Sequence, residues 1–211
     1  MIKDYKDLCI GKYLEIQEIA KDNTADIDKQ VNIIAVLADM TEDEVLDLPL
    51  VEYKTLAEQS KFLEIPMQVP TNVAKCYKIN GWELIPSFDI YKLTTAQYID
   101  FQNFSKLGEN QLVNVLSCFM IPKGKKYNED YDIIEVQNTI REYLSAPDCF
   151  ALAAFFLNEL KMSMQAMLIY CRMAVKMMRK EKKKEMLKQI ETLQKIQDNL
   201  PSGNGLVALM L

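Results

Sequence analysis

The sequence predicts a mainly α protein with one β-hairpin, built from two similar helical units and ending in a long C-terminal helix. Three observations predict it. Apolar residues recur at helical spacing through most of the chain. A single Asn80-Gly81 step lies between β-prone runs. A helix-pair pattern occurs twice: residues 93–120, LTTAQYIDFQNFSKLGENQLVNVLSCFM, are echoed by residues 8–40. Leu8 matches Leu93 and Tyr13 matches Tyr98, while Ile16 and Ile19 match Phe101 and Phe104. After a three-residue gap, Val31, Asn32 and Ile34 match Val113, Asn114 and Leu116. Amphipathic helices share a period, so chance similarity is the competing explanation.

The expected organisation is a first helical unit over residues 1–66, a hairpin connector over 67–92, a second helical unit over 93–161, and a C-terminal helix with an apolar tail over 162–211. In the first unit, residues 5–21 carry Leu8, Ile10, Tyr13, Leu14, Ile16 and Ile19 as a broad helical stripe. Residues 22–26 are polar and read as a loop. Residues 27–40 form a well-buried helix through Val31, Ile33, Ile34, Val36, Leu37 and Met40. Thr41 and Glu44 have the spacing of a capping box, in which a hydroxyl and a carboxylate each take a free N–H. The short helix they open covers residues 42–46. Asp47 is the expected cap of the next helix, with Pro49 in its first turn and Leu50, Tyr53, Leu56 and Ala57 facing inward as far as Leu63.

Two prolines keep residues 65–70 out of a helix. Asn-Gly readily supplies the two positive φ angles of a type I′ turn, so residues 75–79 are expected to pair with 82–85, and 88–91 to extend the hairpin. Two strands alone are marginal in water. The hairpin should therefore lie on the helices, pair with another chain, or be poorly ordered.

The second unit starts a helix at Thr94 or Thr95, with Tyr98, Phe101 and Phe104 expected to hold it together, and Gly108 ends it. A partner helix over 109–121 is closed by Pro122, and a polar loop covers 123–130. Asp132 with Glu135 begins another helix, which runs through Ile134, Ile140 and Tyr143. Pro147 begins a more apolar one. From Met162 the chain reads MSMQAMLIYCRMAVKMM, with six of the twelve methionines, and then RKEKKKEMLKQIETLQKIQDNL. Pro201 stops that helix, residues 202–205 read as a hinge, and residues 206–211 are all apolar.

Composition narrows the chemistry. The chain has 211 residues, 49% apolar and 26% charged, with a net charge of −5 that does not favour nucleic acid. The basic run RKEKKK is interrupted by Glu181, has no aromatics interleaved, and reads as a solvated helix face. Five scattered cysteines fit reduced thiols better than a disulfide framework or a zinc site. No histidine is present, so imidazole bases and His metal ligands are excluded. No phosphate loop or calcium loop is present either, and no cofactor or metal is expected. The first residues lack a signal-peptide pattern, and no apolar run reaches membrane-span length. An enzyme is not expected.

What remains points to protein partners. Unbranched thioethers repack easily, so a Met-rich face suits an adaptable groove, although ordinary core filling explains it as well. The candidate partner-binding residues are Met162, Met164, Met167, Met173, Met177 and Met178, with Leu206, Leu209 and Leu211 of the tail. The tail suits a groove on its own chain or a neighbouring one, which leaves room for a homo-oligomer.

The stretch VNIIAVLADMTEDEVLDLPLVEYKTL resembles the helical segment of bacteriophage tail assembly chaperones and related tail or baseplate proteins. YKINGWELIPSFDIYKLTTAQYIDFQNF resembles the core of small phage proteins encoded among tail genes, best represented in phages of Bacteroidetes-type hosts. IPKGKKYNEDYDIIEV and ALAAFFLNEL extend the resemblance over residues 8–160 as short, diffuse motifs. It implies a non-enzymatic helical protein of the host cytoplasm during phage assembly. Such a chaperone binds the tape-measure protein, or another phage structural protein, and keeps it soluble. The Lys/Glu-rich C-terminal helix also suits a structural virion protein in a portal-tail connector, in a tail or as packaged cargo. A phage regulator binding one host protein is a third reading.

Overall fold

In the computed structural model, residues 1–87, 89, 92–105, 111–177 and 180–199 are described, with the side chains at 174, 176–177 and 180–185 left aside. The described chain is mainly helical with a small antiparallel sheet, as expected. It divides into two compact units, Met1–Ser87 with Thr94–Ala151, and Phe88–Leu93 with Leu152–Leu211.

In the first unit, α1 (Ile10–Lys21) packs against α2 (Asp26–Ala38). α1 buries Ile10, Tyr13 and Ile16 at intervals of three, and α2 buries Val31, Ile34, Ala35 and Leu37. α1 starts later than the stripe from Tyr5 suggested. Cys9 instead forms an antiparallel bridge with Ser145, and backbone bonds run from Ile10 N–H to the Leu144 carbonyl at 2.9 Å and from Ala146 N–H to the Leu8 carbonyl at 2.8 Å. Leu8 therefore belongs to a β-like clasp, not to the helix.

α3 (Glu42–Leu46) opens on the expected capping box. The Thr41 hydroxyl oxygen accepts from Glu44 N–H at 3.2 Å, and a Glu44 carboxylate oxygen accepts from Thr41 N–H at 2.7 Å. The Thr41 backbone N–H and then its hydroxyl hold the Glu44 carboxyl below the ordinary carboxylate range. α4 (Leu50–Ser60) is followed by a 3-10 turn, Lys61–Glu64. Its cap position is Pro49, whereas Asp47 closes α3. Tyr53, Leu56 and Ala57 pack on a core of Val31, Ile34, Ala35 and Val45. Leu50, the first residue of α4, stays exposed although its spacing to Tyr53 and Ala57 puts it on the same side of the helix.

β1 (Tyr77–Ile79) and β2 (Trp82–Pro86) form the hairpin, in the register Tyr77 to Leu84 and Ile79 to Trp82. Asn80 and Gly81 have φ of 42° and 79°, the two positive values the turn requires. The hairpin is not a lone pair of strands. β3 (Met120–Pro122) pairs with β2, placing Ile85 opposite Ile121. This corrects the helix expected over 109–121. α6 covers only Leu112–Ser117, and Pro122 biases the residue before it towards extended backbone, where β2 offers unpaired groups. Phe88, Ile90, Tyr91 and Gly108, and with them most of the extended hairpin and the helix stop, lie outside the described residues.

α5 (Thr95–Phe104) also begins with a capping box, formed by Thr94 and Gln97. Of the three aromatics expected to hold this region, Phe101 meets the Phe119 ring edge-on at 5.5 Å and Phe104 is half-buried. Tyr98 is exposed, and Gln97 takes the buried position beside it. The two helix pairs agree at Val31 with Val113 and at Ile34 with Leu116, all buried, and differ at Tyr13 with Tyr98.

α7 (Ile133–Tyr143) starts where an Asp132 carboxylate oxygen accepts from Ile134 N–H at 2.9 Å. It buries Val136, Thr139 and Ile140 and packs against α1 and α6. The Tyr13 ring meets Phe150 edge-on at 5.4 Å. Helices of both expected units thus join in one core.

α8 (Ala146–Met177) has Pro147 in its first turn, and runs through position 162 without a break. Asp148 N–H donates to the Ser145 hydroxyl oxygen at 3.3 Å. In the second unit, α8 pairs with α9 (Lys180–Asn199). Leu168, Val175 and Ile190 are buried together, flanked by Cys171, Met186 and Leu193. Arg172 donates to the Gln194 side-chain carbonyl at 2.8 Å, and Gln197 Nε2 to the Lys161 carbonyl at 3.4 Å. Lys161 meets Gln197, and the later Arg172 meets the earlier Gln194, so the pair is antiparallel.

Candidate protein-binding face

With 3.6 residues per turn, Leu168, Cys171 and Val175 share the side of α8 that faces α9. Met162, Ile169 and Met173, spaced by seven and four, share another side. They are 57%, 53% and 62% exposed, with Tyr170 at 73% on the flank and Met167, at 49%, further round the helix. Large apolar side chains exposed singly are ordinary, but a contiguous stripe of them marks an interaction surface.

Of the residues proposed from the sequence, Met162 and Met173 lie on this stripe, whereas Met167 is exposed but about 140° round the helix from Met162. Met164 is half-buried, and at four residues before Leu168 it falls on the α9-facing side. The side chain of Met177 and all of Met178, Leu206, Leu209 and Leu211 lie outside the described residues. Ile169 and Tyr170 are additions. Their signal was the helical period that places Ile169 between Met162 and Met173, but it acts only once the α9-facing side is known. The stripe is chemically adaptable: thioethers reshape at low cost, and the Tyr170 ring adds a polar tip to an apolar body.

Elsewhere among the described residues, several polar groups are tied into the fold. The Tyr127 hydroxyl donates to an Asp100 carboxylate oxygen at 2.8 Å, and the Cys118 thiol donates to the Asn114 carbonyl at 3.5 Å. Burial pushes the Cys118 thiol up to about 11 and raises Cys149 as well, so both thiols are protonated at neutral pH. An open hollow of about 580 Å³ beside Gly11 is lined by charges of both signs, Lys12, Arg141, Glu15, Glu18 and Glu142. Lys12 there is already bonded to Asp39 at 2.6 Å. Among the described residues, no three Cys, Asp or Glu side chains come together to hold a metal ion, and no helix is long and apolar enough to cross a membrane. Among the described residues the α8 stripe is thus an exposed apolar surface without an evident role in the fold, as are Leu46, Leu50 and Val51 around the start of α4. The chain matches no family model, no curated protein and no solved structure.

Proposed function

We propose that this chain is a bacteriophage tail assembly chaperone, binding a helical client such as the tape-measure protein through the exposed stripe of α8. The observation that carries the reading is the row Met162, Ile169 and Met173, exposed on a helix whose other side is already packed. A long helical client displays apolar positions at intervals of three and four, and such a row on α8 meets it as one helix meets another. The resemblance of residues 8–160 to phage tail assembly proteins supplies the class of client. Binding would take place in the host cytoplasm before the tail tube closes around the tape-measure protein.

The test is co-expression with the tape-measure protein of the same phage, followed by pull-down and affinity measurement. The client should co-purify with the chain and be lost when Met162, Ile169 and Met173 are each changed to Lys. Unchanged affinity in that variant would remove the stripe from the reading. Many copies of the chain in purified virions, found by mass spectrometry, would overturn the chaperone assignment and make it a structural virion protein.

A further inference from the structure

We propose that the corner between α3 and α4 is a further docking surface, which takes a basic amphipathic helix of another protein. Leu46, Leu50 and Val51 make the apolar contact, and Glu42, Asp43, Asp47 and Glu52 meet the lysines and arginines of that helix. The proposal stands apart from the α8 reading, which concerns another surface.

The first observation is apolar. Leu46, Leu50 and Val51 are 62%, 66% and 77% exposed, three large side chains gathered over residues 46–51. The fold uses their neighbours instead: Val45 is buried, and Leu48 packs against the same core. The backbone of the corner is bonded throughout. Asp47 N–H donates to the Asp43 carbonyl at 3.0 Å, Leu48 N–H to the Val45 carbonyl at 3.3 Å, and Tyr53 N–H to the Pro49 carbonyl at 3.0 Å. The Tyr53 hydroxyl donates to the Gln30 side-chain carbonyl at 2.9 Å, which ties α4 to α2. The corner is therefore held in shape with its outer apolar side chains in water. Apolar groups clustered and fixed in that way mark a contact surface.

The second observation is charge. Residues 30–53 contain six acidic residues and no Lys or Arg, although the whole chain carries only −5. Glu42, Asp43, Asp47 and Glu52 are all exposed, and none of the four is in an ion pair with another described residue. Glu42 and Asp43 precede Leu46 by four and three residues, which places them on its side of α3. Asp47 adjoins Leu46, and Glu52 adjoins Val51. Lys54, one turn after Leu50, is the first base beyond them.

Together the two observations select the partner. An apolar centre rimmed by carboxylates complements a helix whose apolar side is flanked by Lys and Arg. The same rim repels the phosphates of nucleic acid and of anionic lipid headgroups. Two copies of this chain meeting here face to face would set carboxylate against carboxylate, which disfavours a self-pairing.

The experiment titrates the full chain into a labelled synthetic helix with a leucine face flanked by lysines, and into the same peptide with glutamate at every lysine, read by fluorescence anisotropy. The lysine peptide should bind at least about tenfold more tightly, and its binding should weaken as salt is raised. Leu46→Ser, Leu50→Ser and Val51→Ser together should abolish that binding. Asp47→Lys with Glu52→Lys should reverse the preference towards the glutamate peptide. Hydrogen exchange of the parent chain needs no variant, and the bound lysine peptide should slow it over residues 42–54. Equal affinity for the two peptides, no binding of either, or slowed exchange in α8 without any over residues 42–54 would overturn the proposal. Failure of the client pull-down leaves it standing, because that experiment reads the α8 stripe, and the reverse also holds.

Discussion

Gly11 on α1 lies against Arg141 on α7 so closely that a β-carbon at Gly11 would come within 2.8 Å of both the Arg141 Cγ and its carbonyl oxygen. A side chain can swing aside, but a helix carbonyl cannot without moving the helix. Gly11→Ala should therefore force α1 and α7 apart. Overpacking costs about 1–3 kcal/mol, against a gain of about 1 kcal/mol from better helix propensity. The net expectation is destabilisation, read as a lower urea midpoint. A midpoint equal to or above that of the parent chain would contradict this close approach.

Gln97 joins two segments through one buried amide. Its carbonyl oxygen accepts from Thr94 N–H at 2.9 Å, and its NH2 donates to the Cys118 carbonyl at 3.1 Å. Gln97→Ala removes both bonds and should cost about 1–3 kcal/mol. Thr94→Ala removes only the cap and should cost about 0.5–2 kcal/mol. Thermal unfolding of the two variants ranks them, with Gln97→Ala expected the lower.

Alkali should destabilise this chain. Burial raises the Tyr13 phenol to about 12 and Cys118 to about 11, and Tyr5 and Tyr77 move the same way. These groups keep their protons in the folded chain after the unfolded chain has lost them. Their contribution is complete below the ordinary thiol and phenol values of 9.0 and 10.0, and is lost as pH rises through about 11 to 12. Urea midpoints should be level from pH 7 to 8 and then fall. Tyr13→Phe should make the fall shallower, and a level profile up to pH 11.5 would refute the assignment.

The two sides of α8 should respond differently to mutation. Leu168→Ala opens a gap against Ile190 and should cost about 2–5 kcal/mol, seen first as faster amide exchange in α9. Met173→Ser lies on the exposed stripe and should change stability by less than about 0.5 kcal/mol. Similar exchange rates in the two variants would mean that the packed and open sides have been exchanged.

Local features were legible in the sequence because their causes are local. Thr41 and Glu44 are three residues apart, and Asn80-Gly81 carries its own turn preference. The buried stripe of α2 follows from spacing alone. Met120–Pro122 was not legible, since its strand exists only because β2 lies beside it, far away in sequence. Tyr98 misled for a related reason: its helical phase favoured burial, but Gln97 has the carbonyl to satisfy. At the candidate site, methionine content pointed to Met162 and Met173. Ile169 and Tyr170 needed the position of α9, and Met164 was overcounted because composition does not tell the two sides of a helix apart.

The clasp between Leu8 and Ala146 also bears on how the molecule is made. Translation delivers the N-terminal end long before its partner. Until residues 144–146 leave the ribosome, the Ile10 N–H and the Leu8 carbonyl lack their bonds and Tyr13 lacks the Phe150 ring. α1 therefore cannot reach its final packing while it is being synthesised, and the first unit closes late and all together. A nascent chain arrested before α7 should remain sensitive to protease in α1, whereas one released past α8 should resist.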